Sequence, residues 1–140
     1  MPLLDDATIP DNAILLRVLR QDPNWTTNKG GRRRPSNLAF YEARGEVSYF
    51  IDAPGMLTEL RRIFPGQEIV NVPAAVIRGV GFAIVRRPND CPADFQCDRT
   101  CHVVAGPSGE LQRLEFQRRA RAIAKHQDVT ILPSEAPAQP

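Results

Sequence analysis

Aromatic residues are scarce in this chain, at 6% of 140 residues, and only two residues are histidines. Histidine-based catalysis therefore has only His102 and His126 to draw on. No Gly-x-Ser-x-Gly nucleophile elbow occurs, and no Gly-Lys-Ser/Thr follows Gly30-Gly31 at the spacing of a Walker loop. No apolar run approaches the roughly 18 residues needed to span a membrane. The segment Met1–Asp6 lacks the basic start and apolar core of a signal peptide. These absences lead to the expectation of a cytoplasmic protein with no membrane partner. The net charge of +2 is too small to imply nucleic-acid binding by itself; what matters is where the positive charge clusters. Cysteine is sparse and uneven: Cys91, Cys97 and Cys101 share one short segment. An odd count argues against a secreted disulfide framework.

What is present fits one ordinary domain. Hydrophobic content of 42% and charged content of 24% are near the average for globular proteins. Thirteen prolines cut the chain into short elements, which argues against an all-helical bundle. We expect an arm at 1–12, a globular domain over 13–132 and a disordered Pro/Ala tail at 133–140. The run Ala13–Arg20 reads as a buried strand, and Val47–Ile51, rich in β-branched and aromatic residues, as the clearest strand. Leu38–Tyr41, Glu68–Val72, Gly81–Arg86, Cys101–Ala105 and Val129–Leu132 are further strand candidates. Apolar residues at helical spacing (Met56, Leu57, Leu60, Ile63 and Phe64) predict a helix over about 54–64, with Pro54 at its first position. Pro73 opens a short helix ending at Gly79. A basic helix follows over about 109–126, with Ser108 a fair N-cap and Leu111, Leu114, Phe116, Ala120, Ile123 and Ala124 on its apolar side. Helices and strands do not alternate regularly. The expected class is therefore α+β: a mixed, mostly antiparallel sheet with one central helix and a C-terminal basic helix.

The densest chemistry lies in Lys29–Ser36, a glycine-broken basic loop. Successive N–H groups around Gly30-Gly31 can form an anion-binding nest, and Arg32, Arg33 and Arg34 supply guanidinium forks. The alternative is a solvated basic surface. Arg34-Pro35-Ser36 stands apart, because a Pro-locked arginine beside a hydroxyl suggests a fixed, inward-facing group. Arg17, a cation within an apolar strand, either lies on an edge strand and points to water or lines a pocket and pairs with an anion. Candidate carboxylates are Glu42, Glu46, Asp52, Glu59 and Glu68. Of these Glu59 is the candidate acid, either facing a cleft or lying on a solvated helix face.

Cys91, Cys97, Cys101 and His102 supply a zinc-ligand chemistry, but no Cys-x2-Cys pair occurs and His102 directly follows Cys101. A local disulfide and free thiols are the other readings, so no metal is expected. His126 falls at a helix end, where a cation suits the dipole. Arg113, Arg118 and Arg121 make the long helix basic. No aromatic platform of the kind single-strand binding prefers accompanies them, and Arg118-Arg119 and Arg121 lie too close together for a single narrow stripe.

Two resemblances attach to these residues. The pattern Leu15-Leu16-Arg17, Arg34-Pro35-Ser36-x-x-Ala39-Phe40, Val47-Ser48 and His102-Val103-Val104-x-Gly106 resembles a group of small bacterial proteins of unassigned activity. The order of elements is also similar to the RES and ADP-ribosyltransferase toxin folds. That likeness implies NAD as ligand, with Arg17 and Ser36 or Ser48 holding the dinucleotide and Glu59 as the acid. The Ser-Thr-Ser run, the Glu-x-Glu pair and the Gly-Arg-Trp-Asn signature are missing. Two functions follow as expectations. One is a non-catalytic interaction module docking a protein or nucleic-acid partner through the basic loop and basic helix. The other is an anion-pocket domain that binds or processes NAD or another phosphate-bearing ligand.

Overall fold

A computed structural model describes residues 3–133, so positions 134–140 of the expected tail lie outside the described residues. Strands β1 (Ile14–Val18), β4 (Val47–Ile51), β5 (Ile69–Pro73), β6 (Phe82–Arg86), β7 (His102–Pro107) and β8 (Thr130–Ile131) form one sheet in the order β6-β7-β4-β1-β5-β8. Every pairing in it is antiparallel. A separate hairpin joins β2 (Thr26–Lys29) to β3 (Arg32–Pro35). Helices α1 (Met56–Ile63), α2 (Ala74–Gly79) and α3 (Arg113–Lys125) complete an α+β fold.

The density of apolar residues in β1 has a simple cause. The strand lies inside the sheet and both its faces are covered, so alternation is lost. Leu15 points into a core with Tyr49, Val72, Ile77, Phe116 and Ile123. Leu16 points the other way, among Phe50, Met56, Leu60, Ile69, Phe95 and Cys101. Met56 and Leu60 are 1% and 0% exposed, so each contributes about 1.5–3 kcal/mol by burial. The sheet is thus sandwiched, with α3 and α2 on one side and α1 with the cysteine segment on the other.

Several expected boundaries move. The basic loop is a β-hairpin: Gly30 and Gly31, at φ of 57° and 78°, supply the positive-φ pair that a two-residue type I′ turn requires. Leu38–Tyr41 is not a strand. Asn37–Phe40 forms a 3-10 turn capped by Ser36, whose Oγ accepts the Leu38 N–H at 3.3 Å. Pro54 does not begin α1; Pro54-Gly55 makes a turn closed by the Met56 N–H on Ala53 O at 2.9 Å, with Gly55 at φ 82°. Ser108 does not cap α3. Leu111 packs on the core before the helix starts, and extended Gln112 is the N-cap.

Residues 3–12 are tied along β6 and α2 rather than extending away. Leu3 and Ile9 are 6% and 1% exposed. The Asp6 N–H donates to Ile84 O at 2.8 Å, and the Asp5 carboxylate accepts the Ile84 N–H at 2.9 Å. Arg78 reaches Asp5 and Asp11 at 3.1 and 2.8 Å. The edge strand β6 is thereby covered, which removes its unpaired groups from solvent.

Candidate functional site

Arg17 lies on a central strand, not an edge, and is only 7% exposed. Its Nε donates to Ala39 O at 2.8 Å and its Nη1 to Ser48 O at 3.1 Å. Nη2 meets Glu42 Oε1 at 3.3 Å, an ion pair within the chain. The guanidinium carbon is 5.1 Å from the Trp25 ring centroid, and exposed Arg20 packs against the same ring at 5.4 Å. Burial pushes the Arg17 guanidinium below its ordinary value, with the neighbouring Tyr49 and Glu42 pulling it back up. Burial likewise pushes the Tyr49 phenol far up. The anion that Arg17 needs is therefore supplied internally.

Arg34 faces inward, as its Pro-locked setting suggested, but not toward Arg17's partners. Its Nη2 donates to Ala124 O, His126 O and Val129 O at 3.2, 2.9 and 3.2 Å. The first two carbonyls lie at the C-terminal end of α3, where a cation complements the dipole, and Val129 O lies in the segment that leads on to β8. Arg34 is thus a cap supplied by the hairpin. Ser36 donates its hydroxyl to Asn24 O at 2.6 Å and caps the following turn. Ser48 contributes its backbone carbonyl to Arg17. Of the four residues put forward for ligand binding, Arg17 and the Ser48 backbone meet each other, while Arg34 and Ser36 serve elsewhere in the fold.

Glu59 is 7% exposed, not on a solvated face. Arg62 clasps it bidentately at 2.8 and 2.9 Å, and the Gln96 N–H donates to it. The Arg62 hydrogen bonds first, and Gln96 second, hold its carboxyl below the usual carboxylate range. An ionised carboxylate only accepts, so Glu59 is poorly set to deliver a proton. Its work here is to tie the cysteine segment to α1. Glu46 pairs with Arg87 at 3.1 Å, and Glu68 takes both arms of Arg33 at 2.7 and 2.8 Å.

Cys91, Cys97 and Cys101 are free thiols packed around one apolar cluster. Burial pushes the Cys91 and Cys101 thiols up, away from reactive thiolates. His102 turns Nδ1 to Arg87 O at 2.7 Å and packs its ring against Phe50, tilted by 52° with centroids 5.0 Å apart. Among the described residues no group of three or more His, Cys, Asp or Glu side chains is arranged to hold a metal.

The α3 surface differs from its sequence-based reading. Phe116, Ala120, Ile123 and Ala124 face the core. Leu114, expected on that apolar side, is instead 78% exposed. It heads a line with Arg118, Arg121 and Lys125, all exposed, at spacings of four, three and four residues. A single stripe therefore forms after all, because Arg119 turns away and pairs with Glu115 at 3.2 Å. Arg118 also leans on Glu115, at 3.3 Å, with its side chain 80% exposed. No carboxylate among the described residues lies within ion-pair distance of Arg121 or Lys125. Exposed Arg32 sits at the hairpin tip, and Arg34 fastens that hairpin to the end of α3.

Beside the head of α3 lies an open cleft of about 920 Å³. Its lining is mixed: Tyr41, Pro107, Leu111 and Phe116 are apolar, with Tyr41 and Phe116 edge to face at 4.9 Å, and Arg44, Glu46, Glu110 and Arg113 are charged. No helix among the described residues is long and apolar enough to cross a membrane. No family model matches the chain, and no curated protein or solved structure is significantly similar to it.

Proposed function

We propose that this chain is a non-catalytic interaction module that docks on an acidic protein surface through the outward face of α3, with the basic hairpin beside it. The observation that carries the reading is the line Leu114, Arg118, Arg121 and Lys125. Among the described residues, the three cations of this helix face have no ion-pair partner apart from the Arg118 contact with Glu115, and the leucine beside them is exposed. Partner-binding surfaces combine an apolar anchor with a charged rim, and complementary charge speeds and orients encounter. The exposed leucine favours a protein over a nucleic-acid backbone, which offers phosphates but little apolar contact along its outer edge.

The chemistry-bearing candidates weigh on the same side. Arg17, Arg34, Ser36 and Glu59 each satisfy a buried or terminal group of the fold, so an NAD pocket built from them would have to take those groups from their present partners. The test is binding to an acidic protein or peptide and to duplex DNA, by wild type and by the Arg118→Glu/Arg121→Glu double variant. The reading expects acidic-polypeptide binding that weakens with salt and is lost in the double variant. Equal binding by both proteins would contradict it.

A further inference from the structure

We propose that Cys91 and Cys101 are a thiol pair that closes to a disulfide by exchange with a low-molecular-weight disulfide such as oxidised glutathione, clipping the base of the long β6–β7 connection while Cys97 stays a thiol. This connection covers α1 on the face of the sheet away from α3, and the docking role makes no use of it. The thiols converge there for a topological reason. β6 and β7 are antiparallel neighbours, and the Arg87 N–H donates to His102 O at 2.8 Å just beyond them, so the connection leaves and returns at one place. Both ends then turn. Pro88–Asp90 and Arg99–Cys101 are 3-10 turns packed against each other; the first hands on to Cys91 and the second ends in Cys101. Cys91 directs its Sγ to Arg99 O, 3.6 Å away, in the turn that carries Cys101. Cys97 instead directs its Sγ to Gly55 O, at 3.8 Å, where α1 begins. All three border one apolar cluster with Leu16, Phe50, Met56, Leu60 and Phe95.

Exposure sets the order of the steps. Cys101 is 9% exposed and belongs to the cluster itself, whereas Cys91 is half-buried at its border. A bulky disulfide therefore meets Cys91 first. The Cys91 thiolate attacks one glutathione sulfur, the glutathione S–S bond breaks, and a mixed disulfide forms as one glutathione thiolate leaves. The Cys101 thiolate then attacks Cys91 Sγ and expels the second glutathione thiolate. Two protein thiols give up two electrons and two protons, and one glutathione disulfide becomes two glutathione thiols. Burial first, and Asp98 next, push the Cys101 thiol up; Arg86 pulls it down, and Cys97 and Cys91 both add to the push. Cys101 thus lies within electrostatic reach of both other thiols. A thiol held up in this way leaves slowly, so the bond forms slowly and, once made, resists reduction. At present the segment is fastened through Glu59, which accepts the Gln96 N–H, and through Arg62, which donates to Asp94 O at 2.8 Å. The disulfide adds a covalent tie at the other end of the same segment.

The test incubates the folded full chain with excess glutathione disulfide at about pH 8.5, near the ordinary thiol pKa. Remaining thiols are alkylated with iodoacetamide, and the digest is mapped by mass spectrometry without reduction. We expect Cys97 alkylated and one linked pair of peptides holding Cys91 and Cys101. Cys97→Ser should form the same link at the wild-type rate. Cys91→Ser should form no link within the chain, and its Cys101 should be recovered as a thiol after unfolding. In wild type, amide hydrogen exchange of Phe95–Asp98 should slow at least threefold on oxidation, while β1 and β4 exchange as before. A link that contains Cys97 overturns the assignment of the pair. So does a lasting glutathione adduct on Cys91 with Cys101 still a thiol, or three alkylated cysteines after a time in which the urea-unfolded chain has oxidised fully. The Cys91–Cys101 link with unchanged exchange at Phe95–Asp98 overturns the clipping of the connection.

Discussion

Replacing Arg17 with methionine keeps the length and apolar stem of the side chain but removes a buried cation. Three acceptors lose their donor at once: Ala39 O, Ser48 O and the Glu42 carboxylate. Glu42, with its side chain 21% exposed, keeps among the described residues only Arg20 at 3.7 Å, and Arg20 is largely in solvent. Breaking a buried pair by removing one partner costs about 3–5 kcal/mol, chiefly because the orphaned groups stay desolvated. At about 2.1 cal/mol/K of unfolding entropy per residue, that loss lowers Tm by about 10–17 °C for a chain of this length. Thermal and urea unfolding followed by circular dichroism measure it, and the urea m-value should hold steady. The magnitude distinguishes a structural arginine from one waiting for an external anion. An arginine held for a ligand is a strained or repelled group in the free protein, and removing it would leave Tm unchanged or raise it. A change smaller than about 3 °C would refute the assignment of Arg17 to the fold.

Other expected outcomes follow from the same contacts. Arg34→Ala removes a charge-assisted cap from the end of α3, and we expect a loss of about 1.5–3 kcal/mol, or about 5–10 °C in Tm; amide exchange should speed up most in the last turn of α3. Gly106→Ala should destabilise by about 1–3 kcal/mol, because its Cβ would run into the backbone carbonyl of Gly45; a Tm equal to wild type would count against that close approach. The Glu59 carboxyl is held below its ordinary value of 4.5 in the folded chain. Its stabilising contribution is therefore complete above about that pH and is lost as pH falls through the lower folded value. Tm measured from pH 7 to pH 3 should fall less steeply below that point in Glu59→Gln than in wild type.

The fold was more legible than the site, for identifiable reasons. Strands β1, β4, β5, β6 and β7 declare themselves through runs of β-branched and apolar residues, and the α2 and α3 helices through periodicity and their stops. The β2–β3 hairpin escaped because its strands are polar and carry no alternation, although the glycine pair at its turn was visible. The start of α1 was misplaced because Pro-Gly suits a turn and a helix start equally well locally. Arg17 was ambiguous because its carboxylate partner lies 25 residues away, and the acceptors of Arg34 lie 90–95 residues away. Such pairings exist only once the sheet and α3 are assembled. Leu114 is different. Placing Phe116, Ala120, Ile123 and Ala124 on a helical wheel turns Leu114 outward with Arg118, Arg121 and Lys125, so the stripe was readable from spacing alone.

The most direct test of the assignment sets two variants side by side in one binding titration with an acidic peptide, at low salt and 25 °C. Arg34→Ala should bind like wild type despite its lower Tm, because Arg34 serves the fold. Arg118→Glu/Arg121→Glu should keep the wild-type Tm within about 2 °C and lose at least tenfold in affinity, about 1.4 kcal/mol. Loss of binding in Arg34→Ala with retention in the double variant would contradict the account and return the working site to the hairpin.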